Sequence, residues 1–234
     1  MADGRSEPLP IAGRRDERRW IDDVLAKVAA GNPRVVVLAG EAGVGKSRLV
    51  NDTIERHRDD WLIGVGHCLE EGQRDLPYAP LSGIVAALAR SEVGGGVLDD
   101  IESDWPSLLP LVGVGPADAL VDTTSGLNQL RLFDTLAKLF GEVAHRHPSL
   151  LVIEDAHWAD PATRAFVSFL ARNVVGEPLA LLLTVRTDEL HRQHPLRPLL
   201  AELARLPTVV RLDLDPLGET DLGEILAGLA GAPL

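Results

Sequence analysis

Residues Arg34–Ser47 read Arg-Val-Val-Val-Leu-Ala-Gly-Glu-Ala-Gly-Val-Gly-Lys-Ser. The run Val35–Ala39 is apolar throughout and β-branched at its start, the pattern of a short strand covered on both faces. It passes directly into the glycine-containing stretch Gly40–Gly45, and from about Lys46 to His57 the sequence reads as a helix. Strand, glycine loop and helix in that order build a cradle for an anion. The glycines let backbone N–H groups curl inward without a Cβ clash. The helix aims the partial positive charge of its first turn at the same point.

Gly40–Ser47 satisfies G-x-x-x-x-G-K-[ST], the P-loop pattern, at every fixed position. Average residue usage yields a chance match in roughly 1% of chains this long, and chance gives no reason for a strand before it and a helix after it. In this pattern Lys46 neutralises the β- and γ-phosphates of a nucleoside triphosphate, and the Ser47 hydroxyl ligates Mg²⁺. The candidate phosphate-binding set is Gly40, Glu41, Ala42, Gly43, Val44, Gly45, Lys46, Ser47 and the adjoining Arg48.

A second apolar run, Leu150-Leu151-Val152-Ile153, ends in Glu154-Asp155. A carboxylate at such a strand end helps hold Mg²⁺ in a P-loop protein, and a neighbouring carboxylate can position or activate the attacking water. We assign Glu154 to the metal and Asp155 to the water; the reverse assignment stays open.

The remaining elements follow outward from these two strands. Arg15–Ala30 carries a helical stripe of Trp20, Ile21, Val24, Leu25 and Val28, ended by Gly31-Asn32-Pro33. Trp61–His67 reads as a strand and Tyr78–Arg90 as a helix. Residues 91–122, rich in Gly, Pro and Asp, read as short helices and loops between core elements. Leu127–Ala144 reads as a helix with Leu127, Leu130, Phe133, Leu136, Ala137, Phe140 and Val143 on one face. Pro161–Asn173 is a helix opening on a proline suited to its first turn, Leu179–Val185 a strand, Leu196–Leu206 a helix, and Thr208–Leu212 a strand. Another helix starts at about Gly218. Strands and helices alternate, which predicts an α/β fold with a doubly wound, mainly parallel five-stranded sheet flanked by helices. The expected organisation is a loose N-terminus over 1–10, a nucleotide-binding core over 11–213, and the start of a helical lid over 214–234.

The 234 residues carry a formal net charge of −12. That disfavours binding of the phosphate backbone of a nucleic acid, which needs clustered Lys and Arg. The Arg14-Arg15 and Arg18-Arg19 pairs are interleaved with Asp16, Glu17, Asp22 and Asp23, and read as a mixed, solvated helix face. The single cysteine, Cys68, fits a reducing compartment. No apolar run approaches the ~20 residues of a membrane span, and the N-terminus has no signal-peptide core; a cytoplasmic protein is expected. His57, His145, His147, His191 and His194 lack partners at metal-ligand spacing, and His157 could either approach a nucleotide or pack beside Trp158.

Four blocks give the chain a family resemblance: Ile11-Ala12-Gly13-Arg14-Arg15-Asp16-Glu17, the P-loop, Glu154-Asp155-Ala156-His157-Trp158-Ala159-Asp160, and Leu182-Leu183-Thr184-Val185-Arg186. Together they resemble the ATPase domain of the STAND class of AAA-related P-loop NTPases. More narrowly, they resemble the N-terminal ATPase domain of large bacterial LuxR-type regulators of the maltose-regulator kind. The resemblance implies ATP as the nucleotide. It places Gly13 and Arg14 against the adenine and ribose, and Arg186 as the sensor of the γ-phosphate. It also implies nucleotide-dependent self-association, and DNA binding only through a domain absent from this chain. Glu154 departs from the aspartate usual in the family. Gly66-His67-Cys68 and Leu76–Leu81 also look typical of the subgroup, with no chemistry assigned. Three functions stay open: a slowly hydrolysing regulatory switch, a nucleotide-dependent scaffold without turnover, and the same module joined to another effector such as a nucleotide cyclase or protein kinase. A small-molecule kinase is the weakest alternative, since no acceptor site is identifiable.

Overall fold

In the computed structural model the chain is described over residues 13–69, 77–104 and 126–218. Ile11 and Ala12, the N-terminus over 1–10, Leu76, Trp105 and most of the helix expected after Gly218 lie outside these residues. The described elements are α1 (Arg15–Ala29), β1 (Arg34–Gly40), α2 (Lys46–His57), β2 (Leu62–His67), α3 (Ala79–Ala89), α4 (Glu92–Asp104), α5 (Gly126–Arg146), β3 (Ser149–Glu154), α6 (Pro161–Asn173), β4 (Leu179–Arg186), α7 (Leu196–Leu203) and β5 (Val209–Leu214).

The five strands form one sheet in the order β2-β3-β4-β1-β5, and every pairing is parallel. Parallel strands need covered faces, and the strand residues divide accordingly. Val35 and Val37 of β1, with Leu151 and Ile153 of β3, pack toward α3–α7. Val36, Leu38, Leu150 and Val152 pack on the opposite face with Ile21, Val24, Leu25 and Val28 of α1 and Leu49 of α2. Trp61 is buried in that second layer, and Trp20 lies partly buried against it.

Two sequence expectations are corrected. Leu127 and Leu130 are exposed, at 72% and 55%, and α5 enters the core only from Leu132 onward. A helix of 21 residues spans about 31 Å at 1.5 Å per residue, whereas a strand of 6 residues spans about 20 Å. The helix outruns the sheet it covers. The glycine-rich stretch after Ser91 forms α4, a helix of 13 residues, longer than the short pieces expected. Gly94 allows it, because a Cβ there would stand 2.2 Å from the Leu88 carbonyl oxygen.

β2 and α3 meet along a close seam to which β2 contributes glycines. A Cβ at Gly66 would lie 1.9 Å from the carbonyl oxygen of Pro80, and one at Gly64 would lie 2.9 Å from Cγ2 of Ile84. The Gly66 and Pro80 positions of the two unassigned subgroup motifs thus have a packing role. No single described helix is long and apolar enough to cross a membrane.

Candidate functional site

The C-terminal ends of β1, β3 and β4 converge, since Gly40 pairs in register with Arg186 and β4 pairs with β3 through Ile153 and Leu183. This is where open parallel sheets hold ligands. The loop leaving β1 turns through Gly43 (φ 76) and Gly45 (φ 104), and a Cβ at either would meet nothing within 4 Å. These positive angles favour glycine for backbone reasons alone. α2 then starts with no side-chain cap on its first amides, as an anion site at a helix N-terminus requires.

Lys46 is buried, and its Nζ donates to the carbonyl oxygens of Gly40 (2.8 Å) and Glu41 (2.7 Å). Burial pushes its pKa down, and the nearby Arg186 guanidinium adds to this; Asp188, Asp155 and Glu189 pull the other way. Added negative charge here would favour its ammonium form. The next residue, Ser47, donates from Oγ to Oε2 of Glu154 at 2.8 Å. A hydroxyl and a carboxylate are hard oxygen donors of the kind Mg²⁺ takes. The donor set, with the amide-lined glycine turn and its lysine, fits a magnesium–nucleotide complex. Arg48 is exposed on the outer side of the first turn of α2.

The two acids after β3 face different partners. Glu154 is buried and directed to Ser47. Asp155 turns away through a left-handed backbone (φ 54), held by a hydrogen bond from its amide to Thr184 Oγ1 at 2.9 Å. Its Oδ1 stands 3.5 Å from Nε of Arg186. Arg186 also donates from Nη1 to Glu189 Oε1 at 2.8 Å and stacks over the Trp158 ring, 4.8 Å from its centroid. Desolvation disfavours the guanidinium charge, but the Glu189 hydrogen bond and the Asp155 and Glu189 charges outweigh it and raise its pKa. His157 is buried against Trp158, with ring centroids 4.6 Å apart. Burial lowers its pKa, against the opposing charges of Glu189 and Asp155. Asp160, last of the Glu-Asp-Ala-His-Trp-Ala-Asp block, caps α6 by accepting from the amides of Ala162 and Thr163.

Arg14 is also buried near the glycine loop. Its Nη2 donates to the carbonyl oxygens of Val44 (2.9 Å) and Asp215 (2.6 Å), and its Nη1 to Glu17 Oε1 (2.8 Å). Gly13 precedes it with φ 69. Arg18 and Arg19 pair with Asp52 and Asp16.

Sequence reasoning gave Thr184 no role of its own and missed Glu189 and Asp188, whose Oδ1 accepts from the P-loop amide of Ala42 at 3.0 Å. Asp188 and Glu189 follow a strand in a polar turn with no periodicity. Only their distance of two and three residues from Arg186 could have flagged them.

A phosphate loop after one strand, an acidic pair after a second and an arginine after the strand between them define a P-loop NTPase. Residues 10–183 match the AAA ATPase domain family, and the chain belongs to that family: it is a nucleotide-binding ATPase module. It is similar to an uncharacterized protein of Rhizobium meliloti (strain 1021), 28% identical over 225 residues, which cover 84% of this chain and 21% of that protein. The chain thus spans about a fifth of the curated relative it matches. Among solved structures it is similar to the Aeropyrum pernix ORC1 protein in complex with DNA, with TM-score 0.55 and 18% identity over 96% of this chain and 50% of that one. A chain of the Drosophila ORC bound to DNA is similar with TM-score 0.49 and 15% identity, over 89% of this chain and 96% of that one.

Proposed function

We propose that this chain is the ATP-binding, slowly hydrolysing switch of a larger signal-responsive bacterial transcriptional regulator. The observation that carries the ATPase part is the contact between Ser47 and Glu154, which joins the P-loop to the acidic strand end at 2.8 Å. Ser47 and Glu154 would hold Mg²⁺, which when bound neutralises phosphate charge and orders the phosphate oxygens. The amides from Gly43 to Ser47 and the Lys46 ammonium bind and orient the phosphates. Asp155 lies one residue past Glu154, exposed enough at 28% to reach a water, and accepts its proton. Arg186 stabilises the charge of the terminal phosphate.

The regulatory part rests on the resemblance of the four sequence blocks and on the length of the curated relative. ATP favours one arrangement of the module and hydrolysis resets it, with the γ-phosphate read through Arg186. Self-association in the ATP state and DNA binding through an attached helix-turn-helix are the outputs of this reading.

The test is ATP binding and hydrolysis with Mg²⁺ in the wild type, Lys46→Ala and Asp155→Asn. Binding lost in Lys46→Ala, and slow turnover lost in Asp155→Asn with binding kept, support the switch. Binding with no turnover in the full-length protein leaves a nucleotide-dependent scaffold instead. A folded wild type that binds neither ATP nor ADP overturns the reading.

A further inference from the structure

Arg186 can read a phosphate only if its guanidinium is held in place. Its side chain is 30% exposed and leaves the end of β4 on flexible bonds. Glu189 and Trp158 enclose it. Oε1 of Glu189 accepts from Arg186 Nη1 at 2.8 Å, and Oε2 accepts from Trp158 Nε1 at 3.1 Å. The Trp158 ring lies 4.8 Å below the guanidinium carbon. Each of the three side chains therefore touches the other two.

Both oxygens of Glu189 are engaged, so the carboxylate cannot turn without breaking a bond. It also links two loops from different strands. Trp158 belongs to the turn after β3, and Glu189 to the turn after β4. Glu189 fixes the Nη1 edge of Arg186 and leaves Asp155 at 3.5 Å from Nε. Without Glu189, Asp155 is the nearest anion. A bidentate Arg186–Asp155 pair would then engage the proposed water-activating carboxylate and the proposed phosphate sensor with each other.

We propose that Glu189 is the positioning residue for Arg186, holding it against Trp158 and apart from Asp155 so that it can meet the terminal phosphate. This rests on the ATP-switch reading of the same site. It predicts that loss of Glu189 weakens discrimination between ATP and ADP, and leaves ADP affinity, which depends on Lys46 and the loop amides, largely intact.

The experiment is titration calorimetry with Mg-ATP and Mg-ADP on the full chain, its Arg186→Ala, Glu189→Ala and Glu189→Gln variants, and the Arg186→Ala/Glu189→Ala double variant. The readout is the ratio of the ADP and ATP dissociation constants. Arg186→Ala is expected to lower the ratio about tenfold, the loss of one charge-assisted contact. Glu189→Ala is expected to lower it at least about threefold. Glu189→Gln keeps one acceptor oxygen and should fall between it and wild type. In the double variant, removing Glu189 should change nothing further, because a positioning residue acts through its target. A purely structural role would weaken both nucleotides alike and add to Arg186→Ala; either result overturns the proposal, as does an unchanged ratio in Glu189→Ala. If Arg186→Ala leaves the ratio unchanged while both nucleotides bind, the phosphate-sensing role fails and the positioning role falls with it. If wild type binds neither, the ATP-switch reading itself is overturned.

Discussion

The Ser47 hydroxyl donates to Glu154 Oε2 across 2.8 Å, although 107 residues separate the two in the chain. Parallel pairing of β1 and β3 with the β4 strand between them brings the two ends together. The buried Glu154 side chain spans that gap and accepts the bond directly from the hydroxyl.

Glu154→Gln should therefore lower ATP affinity about ten- to a hundredfold in the presence of Mg²⁺, a charge-assisted interaction being worth roughly 1.5–3 kcal/mol. Affinity measured with excess chelator should change little. Equal losses in both conditions would show that Glu154 acts on the fold and not on the metal.

Lys46→Ala should have two separable effects. ATP affinity should fall about a hundredfold, or about 2.7 kcal/mol, as the cation facing the phosphates is lost. Thermal stability without nucleotide should also fall, because the Gly40 and Glu41 carbonyls lose the ammonium between them. Calorimetric titration and a melting curve of the same sample measure the two.

Gly66→Ala should destabilise the chain without touching the phosphate site. The new methyl would lie 1.9 Å from the Pro80 carbonyl oxygen, so β2 and α3 must separate. Overpacking of this kind costs roughly 1–3 kcal/mol. Chemical denaturation measures it, and ATP affinity of the folded fraction should stay near wild type.

His157 predicts an acid-side loss of stability. Its folded pKa lies below the ordinary imidazole value of about 6.5, so the unfolded chain takes up this proton first. Its effect is absent well above pH 6.5, and stability should decline as pH falls through 6.5 toward the folded value. His157→Phe should flatten that part of the curve. An unchanged slope between pH 7 and 5.5 would exclude His157 as its source.

Much of the core was readable because β1, β3 and β4 are apolar runs ending at a glycine or a charge. Val35–Ala39 and Leu150–Ile153 declare themselves locally, and so do the P-loop and the Glu154-Asp155 pair. Strand order was not readable, since pairing of β1 with β4 joins residues far apart in sequence. Arg186 was found through family resemblance; its partners Glu189 and Trp158 emerge only when two turns from different strands meet. The burial of α5 was misjudged at Leu127 and Leu130 because periodicity reports a face of a helix and not how far the neighbouring sheet extends.

The Arg14 guanidinium is bonded at once to Val44 in the phosphate loop and to Asp215, just past the end of β5. One cation is thus a mechanical node shared by the loop that would close on a ligand and the point where the chain departs from the sheet. A displacement of Val44 would therefore pull on a side chain that is also bonded to Asp215, by a route outside the hydrogen-bonded strands.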